Sequence, residues 1–575
     1  MTITRRRLTA AALAAAVVAF AYAAWVALGV RSDLLDGEAA ARDLRAALED
    51  PGTSDAAEKA ADRFEAHLAS ADRRTSGWTW AVLEGVPFVG DDARAVATLS
   101  RVGAAAARDG VRPLLEAGVT DPEGFAPRDG QVDLDRIAML RKPMAAAAAA
   151  FGDASEELAE VDCSGLVGPL ARSLRTLTDD IDAAADGLEA GRVATELLPT
   201  MLGGSGERRI LLAFQSPAEP RAAGGFPGAL AVLEARDGRL ELAEQIPAGA
   251  LPSGAQVLPL TAEEQERFGP AMAIYAGDAG FTPHFPRVTE LWRAHWDRSG
   301  RPALDGAVAV DPVALGYLLA ATGPVQVRGA ELTADNVAHE LLHGAYVRYA
   351  DPLEQDRWFQ QVASAVFSRL TTGSVDARAL LDGLARGARE GRLLVNSRHP
   401  EEQQLLTGTQ VAGEVPDASV PAPQAGVYFN DSTGSKMGWF FHPEVTVETT
   451  SCDASGRTMT GTLGVRSSLE AGKPLPAYVS PGSHGIPKGT HLVSVELFAP
   501  QEGTLDRITF DAEPQENAVV TPYRGHATTS VALELEPAGH HVVTWRMTTP
   551  SREPVSIRVT PGVDSGGGPV ELPAC

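Results

Sequence analysis

Residues 208–246 read RRILLAFQSPAEPRAAGGFPGALAVLEARDGRLELAEQI, and the folding of this stretch decides how the rest of the chain can be arranged. Two apolar runs, 210–214 and 229–233, flank a loop that carries Pro217, Pro220, Arg221 and the pair Gly224-Gly225. A third run follows Asp237-Gly238, a dipeptide suited to the positive-φ turns of hairpins. The pattern predicts a strand, a special loop and a hairpin. Glycines after a buried strand let backbone approach closely, and an arginine beside them suits phosphate or carboxylate. The competing reading is structural: the glycines only turn the chain, and Arg221 pairs with Glu219 or another carboxylate.

Downstream, strands and helices alternate as far as about residue 394. A segment at 274–280 precedes a helical run at 286–298. A strand at 306–310 then passes through Asp311-Pro312 into a helix at 313–322, which Gly323-Pro324 closes. Extended structure resumes at 325–327, Thr333 caps a helix running to about Tyr349, and further helices are expected at 352–370 and 376–390. The expectation for 206–411 is a mostly parallel or mixed sheet covered by helices, an α/β/α domain. Residues 412–430 are rich in proline and small residues and read as a linker. From 431 to 575, segments such as HLVSVELFA, TTSVALELE and HHVVTWRMTT alternate polar and apolar residues between turns, the pattern of an antiparallel β-sandwich.

Upstream, residues 31–205 read as several antiparallel helices, with breaks at Pro51-Gly52, Pro87, 118–127 and 165–169. Ser54 and Asp133 are candidate helix starts, and the alanine-rich stretch 144–151 permits close helix contacts. The apolar patch 78–89 is too short to span a membrane; it is expected as core of the bundle, with a surface resting on lipid as the rival. The fold class expected for the whole chain is multidomain α+β behind an N-terminal transmembrane helix.

That helix is expected from the first thirty residues. Arg5-Arg6-Arg7 precede an uncharged run from Thr9 to Val30, about 33 Å as a helix at ~1.5 Å per residue and enough to cross a bilayer. Arginines before the run and acids after it put the N-terminus in the cytoplasm and the rest outside, so residues 1–30 read as a cytoplasmic tip and single-pass signal-anchor. A cleavable signal with Ala21-Tyr22-Ala23 at its cut site is the alternative. Either way the bulk of the chain lies in an oxidising, extracytoplasmic space. The chain has 575 residues, three cysteines and a formal net charge of −25. Such a field argues against nucleic acid as a partner, and any anion must be bound locally. Two of the cysteines, Cys452 and Cys575, bracket the C-terminal domain and are expected to pair, leaving Cys163 over.

His339-Glu340-Leu341-Leu342-His343 matches H-E-x-x-H, which on a helix could present two zinc ligands with Glu340 polarising a water. A catalytic zinc needs a third protein ligand, and none follows at a suitable spacing. The motif is read as chance, and no metal is assigned. No P-loop, nucleophile elbow or C-x-x-C is present. What remains is a set of arginines and amides suited to bidentate anion binding, among them Gln215, Arg221, Arg287, Arg348, Arg357, Gln360 and Gln361.

The segments FQSPAEPRAAGGFPGALAVLEARDGRLEL, DGAVAVDPVALGYLLAATGPV, LTADNVAHELLHGAYVRYADPLEQDRWF and GVYFNDSTGSKM resemble the bacterial membrane-protein family called domain of unknown function 4012, over about residues 30–575. The order of elements in 208–370 is also similar to the LytR-CpsA-Psr phosphotransferases, anchored enzymes that move glycopolymers from polyprenyl pyrophosphate carriers to the cell wall. On that resemblance Arg221 stands at the first arginine of Arg-Ser-Asp-Thr, Ile274-Tyr275-Ala276 at an Ala-Tyr segment, and Gly323-Pro324-Val325 at Gly-Gly-Val. Arg357 with Gln360-Gln361 stands at a late Arg-x-x-Arg-Gln-Gln helix. Ala222-Ala223-Gly224 replaces Ser-Asp-Thr and Pro247-Ala248-Gly249 replaces Pro-Arg-Asp, so the acids that would hold magnesium are missing.

These readings converge on an anchored envelope protein that binds an anionic or lipid-linked cell-wall glycan. The candidate ligand residues are Gln215, Arg221, Gly224, Gly225, Arg357, Gln361, Asn430 and Lys436, with no cofactor. One alternative is a diverged phosphotransferase using magnesium and other carboxylates, for instance Asp278 or Asp311. Another is an envelope scaffold that binds partner proteins.

Overall fold

The structure is a computed structural model that describes residues 2–49, 54–416, 423–482, 485–564 and 568–575, with the side chains of 2–21, 49, 122 and 123 outside the description. It is a mixed α and β molecule in two compact units. The first comprises Met1–Phe125 and Asp133–Thr200; the second comprises Ala126–Val132 and Met201–Cys575.

The first unit is helical. Its helices are Thr2–Glu49, Ser54–Thr75, Trp78–Glu84, a run through Gly90–Ala105, Ala106–Val111 and Arg112–Glu116, Leu134–Ala159 and Gly168–Met201, whose last residue falls in the second unit. Asp133 caps its helix by accepting from the Arg136 amide at 3.0 Å. Alanine sets the packing: Ala57, Ala60 and Ala61 meet Leu44 and Leu115, while Ala95 and Ala154 meet Val102, Leu158 and Leu174. Among the described residues no helix is long and apolar enough to cross a membrane. Most of the predicted anchor, and the break at Pro51-Gly52, lie outside the described side chains or residues.

The patch at 78–89 is not the core segment expected. Trp80 is buried with Val26, Val30 and Ala93, but Trp78 is 74 % exposed, Val82 62 % and Phe88 98 %. Periodicity explains the split: only one face of the short helix Trp78–Glu84 meets the rest of the unit, and the remaining apolar side chains have nothing to pack on.

The second unit begins with a mixed five-stranded sheet. Its strands are β1 (Arg208–Ser216), β2 (Phe226–Arg236), β3 (Arg239–Pro247), β4 (Gly306–Val310) and, beyond a small hairpin of β5 (Val325–Val327) and β6 (Ala330–Leu332), β7 (Leu393–Ser397). The order is β3-β2-β1-β4-β7, and β1 and β4 are its parallel pair. From that pair the order runs outward in both directions, so the sheet has its topological switch point between β1 and β4. One face is covered by Phe285, Val288, Leu291, Trp292 and Trp296 of helix Phe285–Arg298, packed on Leu211, Ala213, Leu230 and Ala307. Helices Pro312–Thr322 and Pro352–Thr372 share a second core with the small hairpin.

The remaining strands are β8 (Gln424–Asp431), β9 (Phe441–Asp453), β10 (Gly456–Ser467), β11 (His491–Gln501), β12 (Leu505–Phe510), β13 (Glu513–Pro514), β14 (Thr521–Tyr523), β15 (His526–Leu535), β16 (His540–Thr549), β17 (Val555–Val559) and β18 (Val570–Leu572). They make two sheets, β13-β12-β16-β10-β9 and β14-β15-β11-β8-β17-β18, whose apolar faces contribute to one core around Phe429, Leu463, Leu497, Leu533 and Trp545. The expectation of a purely antiparallel arrangement fails at one pair, because β8 and β17 run parallel. The chain separation between them removes the short-hairpin constraint that makes neighbouring strands antiparallel. Cys452 on β9 and Cys575 are joined by a disulfide, with Cα atoms 6.1 Å apart, and Cys163 is free.

Candidate functional site

β1 ends at Ser216 and β2 begins at Phe226, so the loop marked by Pro217, Arg221 and Gly224-Gly225 stands at the carboxyl end of the switch-point strand. The glycines are required by close approach. A Cβ on Gly224, whose φ is +122°, would lie 2.5 Å from Gln215 Oε1, and one on Gly225 would lie 2.5 Å from the Ser216 carbonyl carbon. They fold the loop back onto the strand end, where Gln215 Nε2 donates to the Ala223 carbonyl at 3.0 Å.

The loop's charges are then buried. Arg221, 3 % exposed, donates from Nη2 to Glu219 Oε1 at 2.9 Å and to Asp278 Oδ1 at 3.0 Å. Lys436, 7 % exposed, bonds the other oxygen of Glu219. Its ammonium also lies over the Phe226 and Tyr478 rings, 4.9 and 5.6 Å from their centroids. Burial would lower the Lys436 pKa, but the Glu219 carboxylate outweighs it and holds the amine above its ordinary range. Burial pushes Asp278 up despite the pull of Arg221, which itself stays cationic.

Asn430 and Asp431 lock the end of β8 onto the same loop. Asn430 Oδ1 accepts from the Ala222 amide at 2.8 Å, and the Asp431 amide donates to the Pro220 carbonyl at 2.9 Å. The Asp431 carboxylate accepts from the amides of Gly434 and Ser435 and bonds His491 Nε2 at 3.0 Å. Burial would raise Asp431, yet the His491 hydrogen bond and charge, with help from Arg221, hold it well below the usual carboxylate range.

Of the residues singled out in the sequence, Gln215, Arg221, Gly224, Gly225, Asn430 and Lys436 thus come together. The two cations are matched inside the cluster by Glu219 and Asp278, which leaves little positive charge for an outside anion. Arg357 and Gln361 take no part in these bonds. On helix Pro352–Thr372, Arg357 bonds Glu354 at 2.6 Å, and Gln361 accepts from Arg328 at 2.7 Å. Asp311 caps helix Pro312–Thr322 through the Ala314 amide and binds Arg392 at 2.6 Å. His339 and His343 sit where the helix widens into a π-turn over Glu340–Gly344. Both rings pack on Trp439, and Glu340 pairs with Arg348. Among the described residues no group of three or more His, Cys, Asp or Glu is placed to hold a metal ion.

Two cavities lie at the ends of this loop. The first, about 70 Å³, opens beyond the carboxyl ends of β1 and β4 and is walled by Phe214, Leu315, Leu341, Leu342, Phe359 and Val362. Its polar edge includes Gln215, Tyr346 and Ser216. The second, about 270 Å³, begins at Ala222 and Ala223 and continues over the face of β8 and β17. Sequence reading missed both, since neither Tyr346 nor the β8–β17 contact belongs to a local motif. The polar run from Asn430 to Lys436 was the one signal that this turn does more than connect strands.

Residues 205–346 match the model of the family described as Protein of unknown function (DUF4012). The match covers β1 through the π-turn, a smaller span than the resemblance read from the sequence. No curated protein and no solved structure matches the chain.

Proposed function

We propose that this is a membrane-anchored extracytoplasmic protein that binds a lipid-linked cell-wall glycan without breaking a bond in it. The observation that carries the reading is the apolar cavity at the switch point of the sheet, where open α/β sheets take their ligands. Its walls suit an apolar chain end, and Ser216 Oγ and Gln215 offer the few polar contacts expected at such a mouth. Attachment through the first helix is supported by apolar side chains left in solvent in the last turns of the uncharged run and elsewhere in the helical unit. Tyr22, Trp25 and Leu28 on that helix, with Trp78, Val82 and Phe88, make a surface suited to the lipid headgroup region.

The absence of turnover is inferred from the carboxylates. Asp278 and Asp311, the acids a diverged transferase would recruit, are bound to Arg221 and Arg392. A metal would have to displace an arginine from each.

The test is binding of a short-chain polyprenyl pyrophosphate to the full chain in bilayer nanodiscs, with and without magnesium. Saturable binding without phosphate release is expected, weakened roughly tenfold by Ala363→Leu, whose extra methyls enter the cavity at a cost of about 1.4 kcal/mol. No binding by the wild type would end the lipid reading, and phosphate release would restore the transferase.

A further inference from the structure

The second cavity lies apart from the apolar one, and what it binds does not depend on the reading above. Its floor is one face of a sheet. In the parallel register of β8 and β17, Gln424 faces Ser556 and Gly426 faces Arg558, while Ser556 faces Glu571 of β18. Alternation along a strand puts Gln424, Tyr428, Ser556, Arg558 and Glu571 on this side, and sends Ala425, Val427, Phe429, Val555 and Ile557 into the apolar core on the other. A polar floor is therefore written into strands whose other face is fully hydrophobic.

Several groups on that floor lack partners. Tyr428 is 2 % exposed, its ring set edge-on against Phe498. The phenol can lie where it does because residue 426 is glycine: a Cβ there would stand 2.6 Å from the Tyr428 hydroxyl and nearer still to the ring. Gln424 Oε1 is buried and unpaired. Arg558 donates to the Glu414 carbonyl at 2.8 Å but has no carboxylate partner, and Arg389, exposed at the end of helix Ala377–Arg389 where that helix lines the cavity, has none either among the described residues. Burial raises the Tyr428 pKa and the Arg558 charge opposes the rise. Buried polar groups normally find partners, and a cluster that does not is a site awaiting a ligand's polar atoms.

We propose that this cavity binds a sugar acid, a pyranose ring carrying a carboxylate. The lining also carries Glu414 and Glu571, but neither Arg558 nor Arg389 has a carboxylate partner among the described residues, and planar guanidinium donors can pair bidentately with the acid. The hydroxyl of Tyr428, the amide oxygen of Gln424 and the outer oxygen of Glu571, whose Oε1 already accepts from Ser556, alternate donor and acceptor as ring hydroxyls require. At about 270 Å³ the space is just below the usual range for small-molecule pockets, roughly 300–1,000 Å³, and so takes one ring rather than a chain.

The experiment is titration of the full chain in nanodiscs with D-glucuronate, D-glucose and acetate, followed by ligand-observed NMR. Saturable glucuronate binding is expected, at least about tenfold tighter than either control. Tyr428→Phe and Arg558→Gln should each weaken it by about tenfold, and Arg389→Gln, at an exposed position that does not support the fold, by several-fold. The proposal fails if glucuronate does not saturate, if acetate or glucose binds as tightly, or if Arg389→Gln and Tyr428→Phe bind like the wild type. Should Arg558→Gln lower the melting temperature, Arg389→Gln still decides. Loss of glucuronate binding leaves polyprenyl pyrophosphate binding untouched, so the two sites fail separately.

Discussion

His295 is fully buried on helix Phe285–Arg298, its Nδ1 bonded to the Pro252 carbonyl at 2.8 Å and its Nε2 without a partner. Burial lowers its pKa, the Pro252 carbonyl opposes, and the charge of Arg298 adds to the lowering. The unfolded chain takes up a proton here as pH falls through about 6.5, while the native chain resists until its lower folded value. Stability is therefore fully present above about pH 6.5 and is lost below it, by up to roughly 1.4 kcal/mol per pH unit in the window between the two values. Urea unfolding at pH 7.5 and pH 5 should show a larger drop for the wild type than for His295→Gln, which cannot titrate. Equal drops would show that the ring is reached by water in the native state. The same logic of burial explains Arg221. A stretch of sequence shows an arginine beside glycines, but not that Lys436, 217 residues beyond Glu219, closes the circuit of charge.

At the scale of elements, buried arginines join the five-stranded sheet and its helices to the six-stranded C-terminal sheet and the loop after its strand β17. Arg267 of helix Ala262–Arg267 bonds Glu496 of β11, with both side chains almost fully buried. Arg392, 0 % exposed at its side chain just before β7, holds Asp311 at 2.6 Å, Glu390 at 2.7 Å and the Gly562 carbonyl at 2.9 Å, and also reaches the Asp564 carbonyl. Arg392→Met would roughly keep the volume and leave the buried Asp311 carboxylate without its cation, while Glu390 keeps Arg386 and Tyr317. A loss of about 3–5 kcal/mol is expected in chemical unfolding, as for other broken buried pairs. Removing Asp311 as well, in Arg392→Met with Asp311→Ala, should cost clearly less than the sum of the single changes, because the orphaned charge goes with its partner. Additive losses would mean that the two groups do not act as a pair. The helix and strand positions around this joint were largely legible in the sequence, through Asp311-Pro312 at a helix start and Gly323 at its end. The joint itself was not, since Arg392 follows an ordinary helix end and its carbonyl partners lie about 170 residues on. The exposed Trp78 and Phe88 were misjudged for the converse reason: apolar content marks what prefers burial, and only the packing of neighbours decides whether burial is available.

For the whole molecule the disulfide between Cys452 and Cys575 closes the widest covalent loop, with a sequence separation of 123. It ties the last residues to β9, and they have further holds: the Cys575 amide donates to the Arg552 carbonyl, and Arg457, 2 % exposed, bonds Cys575 Sγ at 3.3 Å and the Pro573 carbonyl. A loop of this length constrains the unfolded chain by roughly 4–5 kcal/mol in the chain-entropy account, of which about 2–4 kcal/mol is commonly realised. Cys452→Ser should therefore lower the stability of the second unit by about 2–4 kcal/mol. The loss ought to appear in the unfolding of the C-terminal strands, whose β9 the disulfide ties to the tail. Because β18 pairs with β17 at Ser556 and Ile557, which on their other side pair with β8, loosening the tail also frees Glu571 at the edge of the polar cavity. Hydrogen exchange of 570–572 should then rise in Cys452→Ser, while exchange in β1 and β4, in the other sheet of the unit, stays as it was. If exchange rises equally in both places, the second unit unfolds as one cooperative body, and the disulfide stabilises the apolar cavity as much as the polar one.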